Sequence, residues 1–178
     1  MTLVIPDPKE ALADLAPLLP HVHAALDGAS HQAREFFDRL GEPVDPCFFP
    51  DHVRYHALRY LRQTGQAVDI EPQDLPNNGL CLLFKRYQLR IWKSDDGLLP
   101  APGPSRARRQ FFNQRTHEQL PLPFSNAESL QRPHGHVNVA ILWQVSLNYN
   151  LAGLVLACPS SAEEGKASVR AHWYEPVP

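Results

Sequence analysis

The sequence predicts an α+β fold in which N-terminal helices pack on a mostly antiparallel sheet of about five or six strands, with one short helix inserted between strands. Three observations carry this reading. Apolar residues recur at helical spacing up to residue 65, the period switches to two from Gln66 onward, and short turn-like connections separate the alternating runs. At 178 residues the chain supports one well-buried core. Residues 1–178 are therefore read as a single domain, with a helical part (1–65) and a sheet part (66–178) that carries the inserted helix at 105–115.

Asp7-Pro8-Lys9-Glu10 sets an N-cap acid, a first-turn proline and a third-position glutamate, so a helix starts at Pro8 and its apolar stripe runs through Leu12, Leu15 and Leu19. Pro17 and Pro20 interrupt it, with a restart near Pro20 that buries Val22 and Leu26. Ser30 reads as the cap of a further short helix, with Ala33, Phe36, Phe37 and Leu40 on its apolar face and Gly41 at its end. Pro50-Asp51 opens the next helix, whose stripe is Val53, Ala57, Tyr60 and Leu61 and which Gly65 closes. His52, His56 and Arg59 fall together on a separate polar stripe of that helix.

Val68 and Ile70 suggest a first strand, Asn77-Asn78-Gly79 a turn, and residues 80–84 and 87–93 a hairpin with Lys85-Arg86 at its tip. Ser94-Asp95-Asp96-Gly97 ends it as a turn. After the stiff connector Pro100–Pro104, Ser105 caps the short inserted helix, to which Ala107, Phe111 and Phe112 give an apolar side. Residues 116–136 hold three prolines and no sustained period, and read as a long loop. Residues 137–145 alternate as the strongest strand, Asn148-Tyr149-Asn150 turns the chain, and residues 151–158 are apolar on both faces as in a central strand. Residues 159–167 read as a polar loop before a final strand through Val169, Ala171 and Trp173, and the helices are expected on one face of the sheet.

Composition bounds the function. Eighteen prolines, about twice the usual ~5%, fall between the periodic segments as rigid connectors. Cys47, Cys81 and Cys158 lack Cys-x-x-Cys spacing and sit beside apolar residues, as reduced thiols in a reducing compartment would. The N-terminal residues lack a basic start and a long apolar run, and no stretch approaches the ~18 apolar residues of a membrane span, so a cytoplasmic location without membrane association is expected. The net charge of −2 hides an asymmetry: residues 1–50 carry eight acids and three bases (−5), whereas residues 85–115 carry eight bases and two acids (+6). Such a split points the middle of the chain toward an anionic partner.

The Arg-rich helix is the first candidate site. Arg106, Arg108 and Arg109 fall in its first turn, where the helix dipole disfavours cations by about 0.3–1 kcal/mol each. A bound anion would resolve that conflict, since backbone N–H groups and guanidinium forks both donate to phosphate oxygens. Arg90 and Lys93 on the preceding strand add positive charge, Trp92 offers a stacking surface, and Arg108 and Arg115 share a helical face. The expected anion-binding set is therefore Arg90, Lys93, Ser105, Arg106, Arg108 and Arg109, with Trp92 for stacking. The competing account is that these arginines are solvated or pair with the acidic N-terminal helices.

His52 and His56, four apart on one helix face, and the His134-Gly135-His136 pair are the weak candidates for a metal site, without the Glu that a His-Glu-x-x-His protease would need. General acid–base work on a phosphodiester could use one of His52, His56, His117, His134 or His136 beside the basic segment. No Walker loop, Gly-x-Ser-x-Gly or Gly-x-Gly-x-x-Gly is present, so neither a nucleophilic enzyme nor a cofactor is expected. The leading expectation is a small regulatory or accessory protein that binds nucleic acid or a phosphorylated ligand. The alternatives are a protein–protein module acting through its acidic helical face, and a small nuclease-like hydrolase using histidines with or without metal.

Overall fold

The computed structural model describes residues 4–65, 69–74, 80–114, 136–162 and 169–178. The expectations for Val68, the 77–79 turn, Arg115, His117, His134, most of the 116–136 loop and the 163–167 part of the last loop lie outside these residues.

Asp7 caps α1 (Pro8–Leu15) as expected, its carboxylate accepting from the Glu10 amide at 2.9 Å. The chain restarts after Pro17 as α2 (Leu19–Leu40), with Pro20 in the first turn where no intrahelical donor is lost. A short helix capped by Ser30 does not exist. α2 runs unbroken through Gly28, Ala29 and Ser30, because Ala25, Leu26, Ala29, Ala33 and Phe37 form one buried face and the tertiary packing overrides the local capping preference of serine. Ser30 is buried there, and its hydroxyl has no hydrogen-bond partner among the described residues. Gly41, at φ 68°, ends α2 by donating to the Asp38 carbonyl at 3.1 Å, while Glu42 donates to Phe37 at 3.2 Å. α3 (Phe49–Thr64) buries Phe49, Val53, Ala57 and Leu61, whereas Tyr60 and, on α2, Leu40 are exposed rather than part of the apolar faces assigned to them.

The sheet has six strands in sequence order: β1 (Glu71–Asp74), β2 (Leu80–Phe84), β3 (Tyr87–Lys93), β4 (Val137–Val145), β5 (Leu151–Ala162) and β6 (Val169–Pro176). All neighbours are antiparallel except β3 and β4, which run parallel from Tyr87 beside Val137 to Lys93 beside Trp143. Residues 159–162, expected in a loop, extend β5, and its ladder with β6 is irregular from Cys158 to Ser161.

Each face of the sheet has its own core. The large one packs Leu80, Leu82, Tyr87, Leu89, Ile91, Val139, Ile141 and Trp143 against α1, α2 and α3. The N-terminal helices cover that face as expected, and the inserted helix, α4 (Arg106–Phe112), seals a smaller core of Leu99, Phe111, Phe112, Ala140, Leu142, Ala157 and Ala162 on the other. A parallel neighbour requires a crossover over the sheet, and the inserted helix is that crossover's covered part.

Part of the acidic N-terminal segment pairs with part of the basic one. Arg86 donates to Glu10 (2.6 Å) and Asp14 (2.8 Å), the Tyr87 hydroxyl donates to Asp14 at 2.8 Å, and Lys85 donates to the Asp14 carbonyl at 2.9 Å. The Tyr87 hydrogen bond is the largest influence holding the Asp14 carboxyl below its ordinary range, and burial is the main cause pushing the Tyr87 phenol up to about 12.

Because the folded Asp14 pKa is depressed below 3.8, its contribution is fully present above that pH and is lost as pH falls through the lower folded value. Asp14→Asn is expected to lower urea stability by roughly 1 kcal/mol near neutral pH, with the gap to wild type closing in the acid range. Ser30→Ala removes a buried hydroxyl without a partner and raises helix propensity, so denaturant melts should show a gain of about 0.5–1 kcal/mol.

Candidate anion-binding site

α4 is held from both ends. At its start the Ser105 hydroxyl accepts from the Arg108 amide at 3.3 Å, confirming the cap. The preceding connector contains Pro100, Pro102 and Pro104, which have no N–H to offer, so its carbonyls need outside donors. Arginines of the first turn supply them: Arg108 Nη1 donates to Ala101 at 3.2 Å, and Arg109 Nη1 to Gly103 (3.3 Å) and Pro104 (3.0 Å). The charge conflict read from the sequence is thus partly met within the chain, by guanidiniums folding back onto the connector.

At the other end two side-chain amides stand in for strand backbone. Gln114 accepts from the Asn138 amide at 2.8 Å and donates to the carbonyls of Asn138 (2.9 Å) and Pro159 (2.7 Å). Asn113 accepts from the Ala162 amide at 2.7 Å and donates to the Ala162 carbonyl at 3.2 Å. The buried Asn138 side chain completes the set by donating to the Phe111 carbonyl at 2.9 Å. Gln114 adopts φ 55°, a left-handed conformation costing a non-glycine residue about 1 kcal/mol, which these bonds offset.

On the sheet below, Arg90 and Trp92 point to the α4 side. The Arg90 guanidinium lies 5.1 Å from the Phe111 ring centroid and is largely buried. Trp92 packs edge-on against Phe111 at 5.4 Å and beside Phe112 at 5.4 Å, so it is partly built into the core instead of standing free. Arg108 covers it, with its guanidinium carbon 5.9 Å from the ring. Among the described residues, Ala101 is the only hydrogen-bond acceptor of the Arg108 guanidinium, which leaves most of its five N–H donors unused. Lys93 projects from the opposite face of β3 and is ion-paired with Asp95, while Arg106 is exposed.

One residue of the site was invisible to pattern reading. Arg54, on α3, is ion-paired with Asp51, and its pKa is lowered first by burial and then by the positive charge of Arg108. α3 and α4 pack on opposite faces of the sheet, and Arg108 lies over Trp92 near the C-terminal end of β3. No spacing rule connects residues 54 and 108; only the i,i+3 spacing of Asp51 and Arg54 on one helix marks Arg54 as held.

The histidines divide. His52 is wedged between Phe36 (ring centroids 4.5 Å) and Phe48 (4.6 Å), with His56 at 6.1 Å. Burial, followed by the charges of His52 and Arg59, lowers the His56 pKa. Their helix starts beside Trp143 and Tyr149, whereas His136 precedes Val137 at the other end of β4, roughly 20 Å of strand away. Among the described residues no group of three or more His, Cys, Asp or Glu side chains is arranged to hold a metal. No described helix is long and apolar enough to cross a membrane.

No protein-family model, curated protein or solved structure matches this chain.

Gln114→Ala would remove its three side-chain bonds to Asn138 and Pro159. A loss of about 2–3 kcal/mol in chemical denaturation is expected, well beyond that of an ordinary surface glutamine.

Proposed function

We propose that this protein binds phosphate-bearing ligands, nucleic acid foremost, through Arg108 at the C-terminal end of β3, with Trp92 beneath it and Arg54 of α3 adding to the positive field. The observation carrying the reading is the Arg108 guanidinium lying 5.9 Å over the Trp92 ring with most of its donors unused, and its positive charge is also felt at Arg54. Arg54 is already balanced by Asp51, whereas the Arg108 guanidinium has no ion pair among the described residues, and guanidinium forks match phosphate oxygens in geometry. Arg108 retains unused donors for that role, and exposed Arg106 adds to the field. Arg109 is assigned to the connector and Arg90 to the core beneath Phe111, so the ligand-facing set is narrower than the sequence suggested. An accessory role in a reducing, cytoplasmic compartment fits the three free cysteines, two of them buried.

The protein–protein reading keeps one specific support: Phe48 and Tyr55 are exposed beside the His52–His56 pair on the α2–α3 hairpin. It is second because aromatic exposure there does not specify a partner. The hydrolase reading has no comparable support, since His52 and His56 are engaged with α2 and each other.

Fluorescence anisotropy with labelled single-stranded RNA and DNA, over a range of salt, tests the proposal. Affinity should fall steeply with salt, and Arg108→Ala and Arg54→Ala should each weaken binding by about tenfold, with Arg109→Ala having less effect. Absence of binding at low salt, or unchanged binding in the Arg54→Ala, Arg108→Ala double variant, would overturn it.

A further inference from the structure

The two edges of the sheet are unlike. β1 has four residues and contains Pro72, which cannot donate to a neighbouring strand. β6 has eight residues and, among the described residues, pairs with β5 alone. A long edge strand offers a row of backbone donors and acceptors to another strand.

The irregular stretch of the β5–β6 ladder gives this edge a particular charge pattern. Val169 and Ala171 pack into the small core on the α4 side, but Trp173, two residues on, packs into the large core on the other side. Residues two apart in a regular strand share a face, so β6 reverses its facing between Ala171 and Trp173. Arg170, alternating with Val169 and Ala171, therefore lies on the α1–α3 side. Glu175, two beyond Trp173, lies on that side as well. Arg170 sits opposite Ser161 and Glu175 opposite Leu156, and neither has an ion pair or hydrogen bond among the described residues.

An antiparallel copy of β6, related by a twofold axis perpendicular to the sheet and passing between His172 and Trp173, meets this strand in a face-consistent register. Arg170 then stands opposite Glu175 of the second copy, Glu175 opposite its Arg170, and Ala171 opposite its Tyr174. Without the reversal, residues five apart would lie on opposite faces and no twofold could pair them. Opposite charges directly across two strands stabilise the pairing, and like charges there oppose it.

We propose that β6 is a self-association edge, through which two copies join their sheets in antiparallel fashion with Arg170 and Glu175 paired twice across the axis. Sedimentation velocity and light scattering on the full chain test this. The mass should rise with concentration from the 20.1 kDa of one chain toward twice that value. Arg170→Glu and Glu175→Arg, each placing like charges across the axis twice, should weaken the dimer by about tenfold or more, and the two together should restore it. Circular dichroism melts of all three variants establish that they fold, independently of association. A mass of one chain at every concentration, a dimer indifferent to both single changes, or a double variant no better than the singles would each overturn the proposal.

Discussion

Strand β4 lies beside β3 in the parallel sense, and a parallel neighbour cannot be reached by a tight turn. The chain has to leave the top of β3, cross the sheet and re-enter at the bottom of β4. Every feature on the second face follows from that one pairing. The crossover needs a covered segment to bury its apolar residues, and α4 with Phe111 and Phe112 is that segment. The connector to α4 must be stiff and its carbonyls satisfied, which explains why prolines and back-folded arginines occur together. Trp92, the penultimate residue of β3, is caught where strand, connector and helix meet.

The two cores also divide the labour of the charges. On the helical face, Arg86 is ion-paired with Glu10 and Asp14 of α1 while Lys85 donates to the Asp14 carbonyl, so the acidic and basic segments read from the sequence do partly cancel. Arg54 and Arg108 are placed by packing that neither residue controls: one follows α3, the other α4.

Local signals were legible where chemistry is local. Asp7 and Ser105 cap helices as their spacing implies, Gly41 closes α2, and Gly97 at φ 73° turns the chain after β3. Ser30 misled because a serine near a glycine resembles a helix start, and only the continuous buried face of α2 reveals otherwise. The parallel pairing was not legible, since alternation fixes which side chains share a face but not which strand lies next door. Of the site, Arg108, Ser105 and Trp92 could be named from the sequence. Arg54 could not, because its relation to Arg108 exists only after two helices have been placed on opposite faces.

The amides of Asn113 and Gln114 extend the sheet's hydrogen bonding beyond its backbone, as if two side chains had been woven in as a short extra strand. A helix of seven residues would ordinarily fray, being too short to be stable alone. Tied this way, α4 loses its freedom during folding, not at the moment of recognition. For the phosphate-bearing ligand proposed above, the ordering entropy of the surface at Arg108 and Trp92 would already have been given up, and more of each contact's energy would appear as affinity.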